Sequence, residues 1–216
     1  MKDLTVNDMK VEAGTFLRSL SQRGIESLFG ATDGKAVGTY VEHEFHAYLE
    51  SDYDYVIGSS ASGIDFPTLG VDLKVTSSRQ PQSSCPYQSA EQKVYGIGYH
   101  LMVFVYKKRD DMERELAYLN FLNSVFVDEK RTADFQTTRG IINILENGAN
   151  LDDIDALLHE RNLLLDDVGR RELAERILEE PPQQGYVTMS NAYQWRLAYG
   201  RTISKAGQVD GVDNLL

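Results

Sequence analysis

The chain has 216 residues, 42% hydrophobic and 25% charged, which is enough for one domain with a real core, or one plus a helical appendage. No stretch approaches the roughly 18 apolar residues that a membrane span needs, so an integral membrane helix is excluded. The single cysteine, Cys85, excludes an internal disulfide and a cysteine-built zinc site, and it fits a reducing cytoplasm.

The polar opening Met1-Lys-Asp-Leu-Thr-Val-Asn-Asp has no apolar run, so no secretory leader is expected. Residues 7–29 read as a helix or a pair of helices, with Val11, Phe16, Leu17, Leu20, Ile25, Leu28 and Phe29 apolar. In residues 33–49, Val37, Val41, Phe45, Tyr48 and Leu49 recur at helical spacing, which predicts an amphipathic helix. Glu42 sits about 100° round from Val41, at the edge of that stripe. It shares a row with Gly38, a residue small enough for another element to approach closely. Residues 52–63 form a Gly- and Ser-bearing connection with a short strand over 53–57.

Residues 66–71 are predicted to be a hairpin tip, with Pro67 and Gly70 supplying turn chemistry. That pairing places Phe66 opposite Val71 and Asp65 opposite Asp72. Directly opposed residues have Cβ atoms roughly 5 Å apart, where like charges destabilise a sheet. A divalent cation between the two acids would remove the penalty. In the following strand, Val71, Leu73 and Val75 point one way and Asp72, Lys74 and Thr76 the other. The apolar set is expected in the core and the charged set on a face where a metal and a phosphate meet.

Residues 76–88 read as an acid-free polar loop. A helix is expected over 89–95, an apolar central strand over 99–106, a charged turn over 107–114 and a further strand over 117–127. Two or three helices follow within 137–180, with Asp152-Asp153 and Asp166-Asp167 as start signals and Pro181-Pro182 as the stop. Ser190 reads as the N-cap of a helix reaching about Tyr199, with Trp195 and Ala198 on its inner face. The expected fold is α/β: a mixed central sheet flanked by helices, with a helical C-terminal region. Residues 1–128 would form the core with its N-terminal helices, and 129–216 a helical extension packed on it. The four histidines make no metal set and read as structural or surface residues.

The segment Asp65-Phe-Pro-Thr-Leu-Gly-Val-Asp72-Leu-Lys74 resembles the PD-(D/E)XK nuclease superfamily, which includes most type II restriction endonucleases. The short spacing of its acids is most similar to the mismatch-repair nicking branch and its restriction-enzyme relatives. Ile64 stands where the family core has a proline. Gly34, Lys35, Gly38 and Glu42 match the family pattern Gly-Lys-x-x-Gly-x-x-x-Glu on the first core helix. The resemblance covers about residues 30–106, and the order helix, hairpin, strand, helix, apolar strand agrees with it.

The resemblance implies Mg²⁺-dependent hydrolysis of double-stranded DNA at a short sequence, as a type II restriction endonuclease. Asp65 and Asp72 would hold the metal, with the Leu73 carbonyl. Glu42 would take a second ion or act through water, and Lys74 would orient the attacking water. A palindromic target implies a homodimer. A monomeric nicking endonuclease and a DNA-binding module on a decayed nuclease core are the alternatives. DNA contacts are expected from Arg79, Gln80, Gln82, Ser83 and Ser84, just beyond the lysine strand. Asn191, Gln194, Arg196 and Arg201 are the second candidate set, because Asn, Gln and Arg pair with purine edges.

The net charge of −11 runs against a nucleic-acid partner, but it is unevenly placed. Residues 151–180 hold ten acids and four arginines, whereas 76–90 and 181–209 hold no acid.

Overall fold

In the computed structural model, residues 1–58, 63–191 and 194–216 are described, apart from the side chain of Gln194. In chain order the first elements are β1 (Lys2–Asp3), α1 (Val6–Ser21), α2 (Gly34–Glu50), β2 (Tyr53–Asp54), β3 (Val71–Ser77), β4 (Gln82–Pro86), α3 (Gln92–Tyr95), β5 (His100–Asp111) and β6 (Leu116–Val127). There follow α4 (Phe135–Glu146), α5 (Leu151–Glu160), α6 (Asp167–Glu179), β7 (Thr188–Met189), β8 (Gln194–Ala198), α7 (Gly200–Lys205) and β9 (Val212–Asn214).

The chain divides into two units. One holds residues 1–81, 100–127 and 206–216, and the other holds 82–99 and 128–205.

The first unit is a mixed sheet covered by two amphipathic helices. Thr5 caps α1 by accepting the Asp8 amide, and Asp33 caps α2 by accepting that of Lys35. Met9, Ala13, Phe16, Leu17 and Leu20 of α1 are buried, as are Val37, Val41, Phe45 and Leu49 of α2. They pack with Val71 and Leu73 of β3 and with Met102 and Phe104 of β5 in one core. The strand order is β3-β5-β6-β9, with β3 parallel to β5 and the other pairs antiparallel. This is the α/β architecture expected from the sequence. The predicted α2 stripe and the strand over 117–127 are both present.

The second unit holds the three expected helices, α4 to α6. Asp134, Asn150 and Asp166 cap them, with Asp153 completing a capping box at α5. It also holds a three-stranded antiparallel sheet, β4-β8-β7, that the sequence reading did not foresee.

Several boundaries differ from expectation. Gln194–Ala198 is a strand rather than part of a Ser190-capped helix, and residues 192–193 of the expected helix lie outside the described residues. The Ser190 hydroxyl accepts the Arg196 amide across the sheet, and Trp195, Leu197 and Tyr199 alternate inward. Gln, Arg, Leu and Ala favour helix locally, but pairing of Cys85 with Trp195 and Ser83 with Leu197 fixes an extended backbone. The predicted loop over 76–88 therefore contains β4, and β3 runs on to Ser77. The helix expected over 89–95 is a single turn. Residues 107–111 of the expected charged turn extend β5, leaving a turn at 112–115 with Glu115 at φ 53°. The strand expected over 53–57 is limited to Tyr53–Asp54.

Candidate functional site

The hairpin forms as the turn chemistry predicts. The Phe66 amide donates to the Val71 carbonyl at 2.9 Å and the Val71 amide to the Phe66 carbonyl at 3.2 Å, with Gly70 at φ 60°. Phe66 is fully buried and stacks on His46, with ring centroids 4.6 Å apart. The hairpin is thereby pinned to α2.

Asp65 is held on both sides. Its carbonyl accepts the Gly58 amide at 2.8 Å, and its Oδ2 accepts the Leu73 amide at 2.7 Å. The Asp65 carboxyl acts electrostatically on that of Asp72, whose pKa it raises. Lys74 Nζ lies 2.7 Å from Asp72 Oδ2.

The charged face of β3 is more enclosed than simple alternation implies. Asp72 is only 2% exposed and the Lys74 side chain 24%. Burial pushes the Asp72 carboxyl up to about 7, the neighbouring Asp65 adds to this, and the Lys74 ammonium pulls against it. A carboxylate so enclosed beside a second acid is stabilised by a proton or a cation, and Lys74 supplies one cation here.

Glu42 lies two turns into α2 and is partly buried. Burial raises its pKa first and the Asp65 charge second, while His43 and Lys74 lower it. It therefore senses the Asp65/Lys74 cluster. Among the described residues no three His, Cys, Asp or Glu side chains are spaced to hold one metal ion together. Gly38 was expected to admit a neighbouring element, but the space beside its Cα is open.

Sequence reasoning missed Gly58 and Tyr55, which help build this site, and read His46 only as a structural or surface residue. Gly58 lets the chain pass close to Asp65, since a Cβ there would lie 1.9 Å from the Ile64 carbonyl oxygen. His46 is buried, its Nδ1 is 2.9 Å from the Tyr55 hydroxyl, and burial lowers its pKa. Only a position on the buried side of α2 hinted at His46, and nothing local marked Gly58 or Tyr55.

The DNA-contact candidates are dispersed. Arg79 and Gln80 are exposed in the turn after β3 and line a cavity of about 470 Å³ with Ser77 and Ser78. Gln82, Ser83 and Ser84 lie on β4 in the other unit, where the Ser83 hydroxyl meets that of Tyr199 at 2.5 Å. Asn191 accepts from Lys93 Nζ and donates to the Arg161 carbonyl. Arg196 is exposed on β8, and the Arg201 guanidinium covers the Phe135 ring at 3.7 Å. Gln194 opens β8, and its side chain lies outside the described residues.

The first unit is a mixed α/β core whose edge strand β3 carries Asp72 and Lys74. A family model described as type II restriction enzyme NspV matches residues 3–214, and the chain belongs to that family. A curated protein of that name from Nostoc sp. (strain ATCC 29411 / PCC 7524) is 53% identical over 212 residues, covering 98% of this chain and 96% of that protein. No solved structure matches the chain.

Proposed function

We propose that this protein cuts double-stranded DNA at a short specific sequence by Mg²⁺-dependent attack of water, with Asp65, Asp72 and Lys74 as its catalytic residues. The observation that carries the reading is the enclosed Asp72 carboxyl, with Lys74 Nζ 2.7 Å away and Asp65 acting on it electrostatically. This set is similar to that of the PD-(D/E)XK nucleases. Membership of a type II restriction enzyme family supports the same substrate and reaction.

The donor set fits a hard cation. Two carboxylates would supply oxygens that otherwise repel, and the Leu73 carbonyl of the same strand would add a third. When bound, a divalent ion supplies Lewis acidity to the phosphate and lowers the pKa of water. The protein's own groups do the rest. The Leu73 amide fixes the Asp65 carboxylate. The Lys74 ammonium orients the attacking water and stabilises charge building on the phosphate. Glu42 would take a second ion or act through water, and its raised pKa suits it to take up a proton. The water oxygen forms the new bond to phosphorus as the bond to the leaving sugar oxygen breaks.

Among the described residues no helix is long and apolar enough to cross a membrane. A cytoplasmic homodimer, with one site per subunit on a palindromic target, completes the reading.

The test is a digest of plasmid and phage DNA by purified protein, with Mg²⁺ and with EDTA. Discrete Mg²⁺-dependent bands are expected, and sequencing their ends gives the target. Relaxed circles without linear product would instead show a nicking enzyme. Folded protein that binds DNA but fails to cut it whichever divalent metal is supplied would be a binding module and would overturn the proposal.

A further inference from the structure

The last β3–β5 pair is Ser77 with Tyr106, and β5 runs on without β3 through Lys107, Lys108 and Arg109. Two grooves meet there. One, of about 470 Å³, is lined by Ser77, Ser78, Arg79, Gln80, Lys107 and Lys108, among others. The other, of about 600 Å³, is lined by Ser21, Gln22, Lys107, Lys108, Arg109, Tyr118 and Asn120. Lys107 and Lys108 form the ridge between them.

Four cations thus line these grooves in a chain of net charge −11. The one lining carboxylate, Asp110, lies 2.5 Å from Lys108 Nζ and is neutralised by it. Arg79, Lys107 and Arg109 make no ion pair among the described residues. The Arg109 guanidinium lies over the Tyr118 ring at 5.1 Å, which orders it without neutralising it. Serine hydroxyls and the amides of Gln22, Gln80 and Asn120 complete a lining of hydrogen-bonding groups.

Both elements that carry the candidate site lead to this ridge. From Glu42 back to Gly34 is eight residues of helix, about 12 Å, and from Lys74 to Ser78 is four residues of strand, about 13 Å. One DNA strand advances about 3.4 Å per nucleotide along the axis, so the ridge lies about four nucleotides from the candidate cutting position.

We infer that Arg79, Lys107 and Arg109 on this ridge hold backbone phosphates of the DNA that flanks the cut, and that they set duplex register rather than reading bases. The inference rests on the proposed function and extends it to a surface outside the candidate catalytic residues. Phosphate neutralisation by lysine and arginine releases counterions, so each working cation should add about one unit to the salt slope of binding.

The test measures binding in EDTA over a salt series. It uses wild type, Arg79→Ala, Lys107→Ala, Arg109→Ala and Lys107→Arg, each checked for an unchanged melting temperature. The probes are duplexes carrying the digest-defined target, either trimmed to that target or extended by a helical turn on each side. Each alanine variant should lower the log–log salt slope by about one on the extended duplex and leave the trimmed duplex unchanged. Lys107→Arg should retain the wild-type slope. The preference for target over scrambled sequence should not move. Unchanged slopes in variants of a protein that binds and cuts would overturn this inference alone. A wild type with no salt-dependent duplex binding would overturn it together with the reading beneath it.

Discussion

Lys74 Nζ and Asp72 Oδ2 lie 2.7 Å apart on the same face of β3, two residues from each other in sequence. The ion pair offsets part of the cost of burying the Asp72 carboxylate. It also places an ammonium on the carboxyl that Asp65 acts on electrostatically.

Asp72→Asn and Lys74→Met should therefore separate chemistry from folding. Removing either partner of a buried pair commonly costs about 3–5 kcal/mol. Here the cost should be smaller, because Asp72 can take up a proton near neutral pH when Lys74 is lost. Cleavage should fall by at least about a hundredfold in both variants, the loss typical of one missing charge-stabilising group. Plasmid cleavage rates and thermal melting, measured in parallel, check this. Cleavage at the wild-type rate by Asp72→Asn would remove Asp72 from the mechanism.

The stability of the metal-free protein should depend on pH in an unusual direction. Asp72 is raised from an ordinary 3.8 to about 7, so between those values the folded chain keeps a proton that the unfolded chain gives up. Stability from this group is thus lost as pH rises through the window. Divalent cations compete with that proton for the same oxygens, so protection by Mg²⁺ should grow from about pH 5 to about pH 8. Melting curves with EDTA and with Mg²⁺ test both statements. An equal Mg²⁺ shift at every pH, or the same profile in Asp72→Asn, would contradict them.

Gly58 should be a positioning residue. A methyl group there would collide with the Ile64 carbonyl oxygen at 1.9 Å and lie 2.9 Å from that of Asp65, so the Asp65 backbone must move. Gly58→Ala should lower kcat with little change in KM and raise the Mg²⁺ concentration that gives half-maximal rate. A merely structural role would lower the melting temperature and leave the Mg²⁺ requirement as in wild type.

The sequence by itself determined the parts whose pattern is local. The α2 stripe Val37, Val41, Phe45 and Leu49 needs only a period of 3.6 residues. The Phe66–Val71 hairpin needs only its turn residues, and it placed Asp65 near Asp72 before any tertiary contact was known. The caps at Asp166 and Asn150 act within three residues of themselves. Tertiary structure decided what depends on distant partners. Segment 194–198 carries helix-compatible residues, and only its pairing with β4, more than a hundred positions earlier, made it a strand. The 2% exposure of Asp72 was equally invisible, because alternation reports which way a side chain points and not whether that face is covered. Gly58 and His46 acquire their meaning only when the chain folds back beside Asp65 and Phe66. Periodicity and turn chemistry are short-range and readable, whereas burial and strand pairing are set by the whole fold.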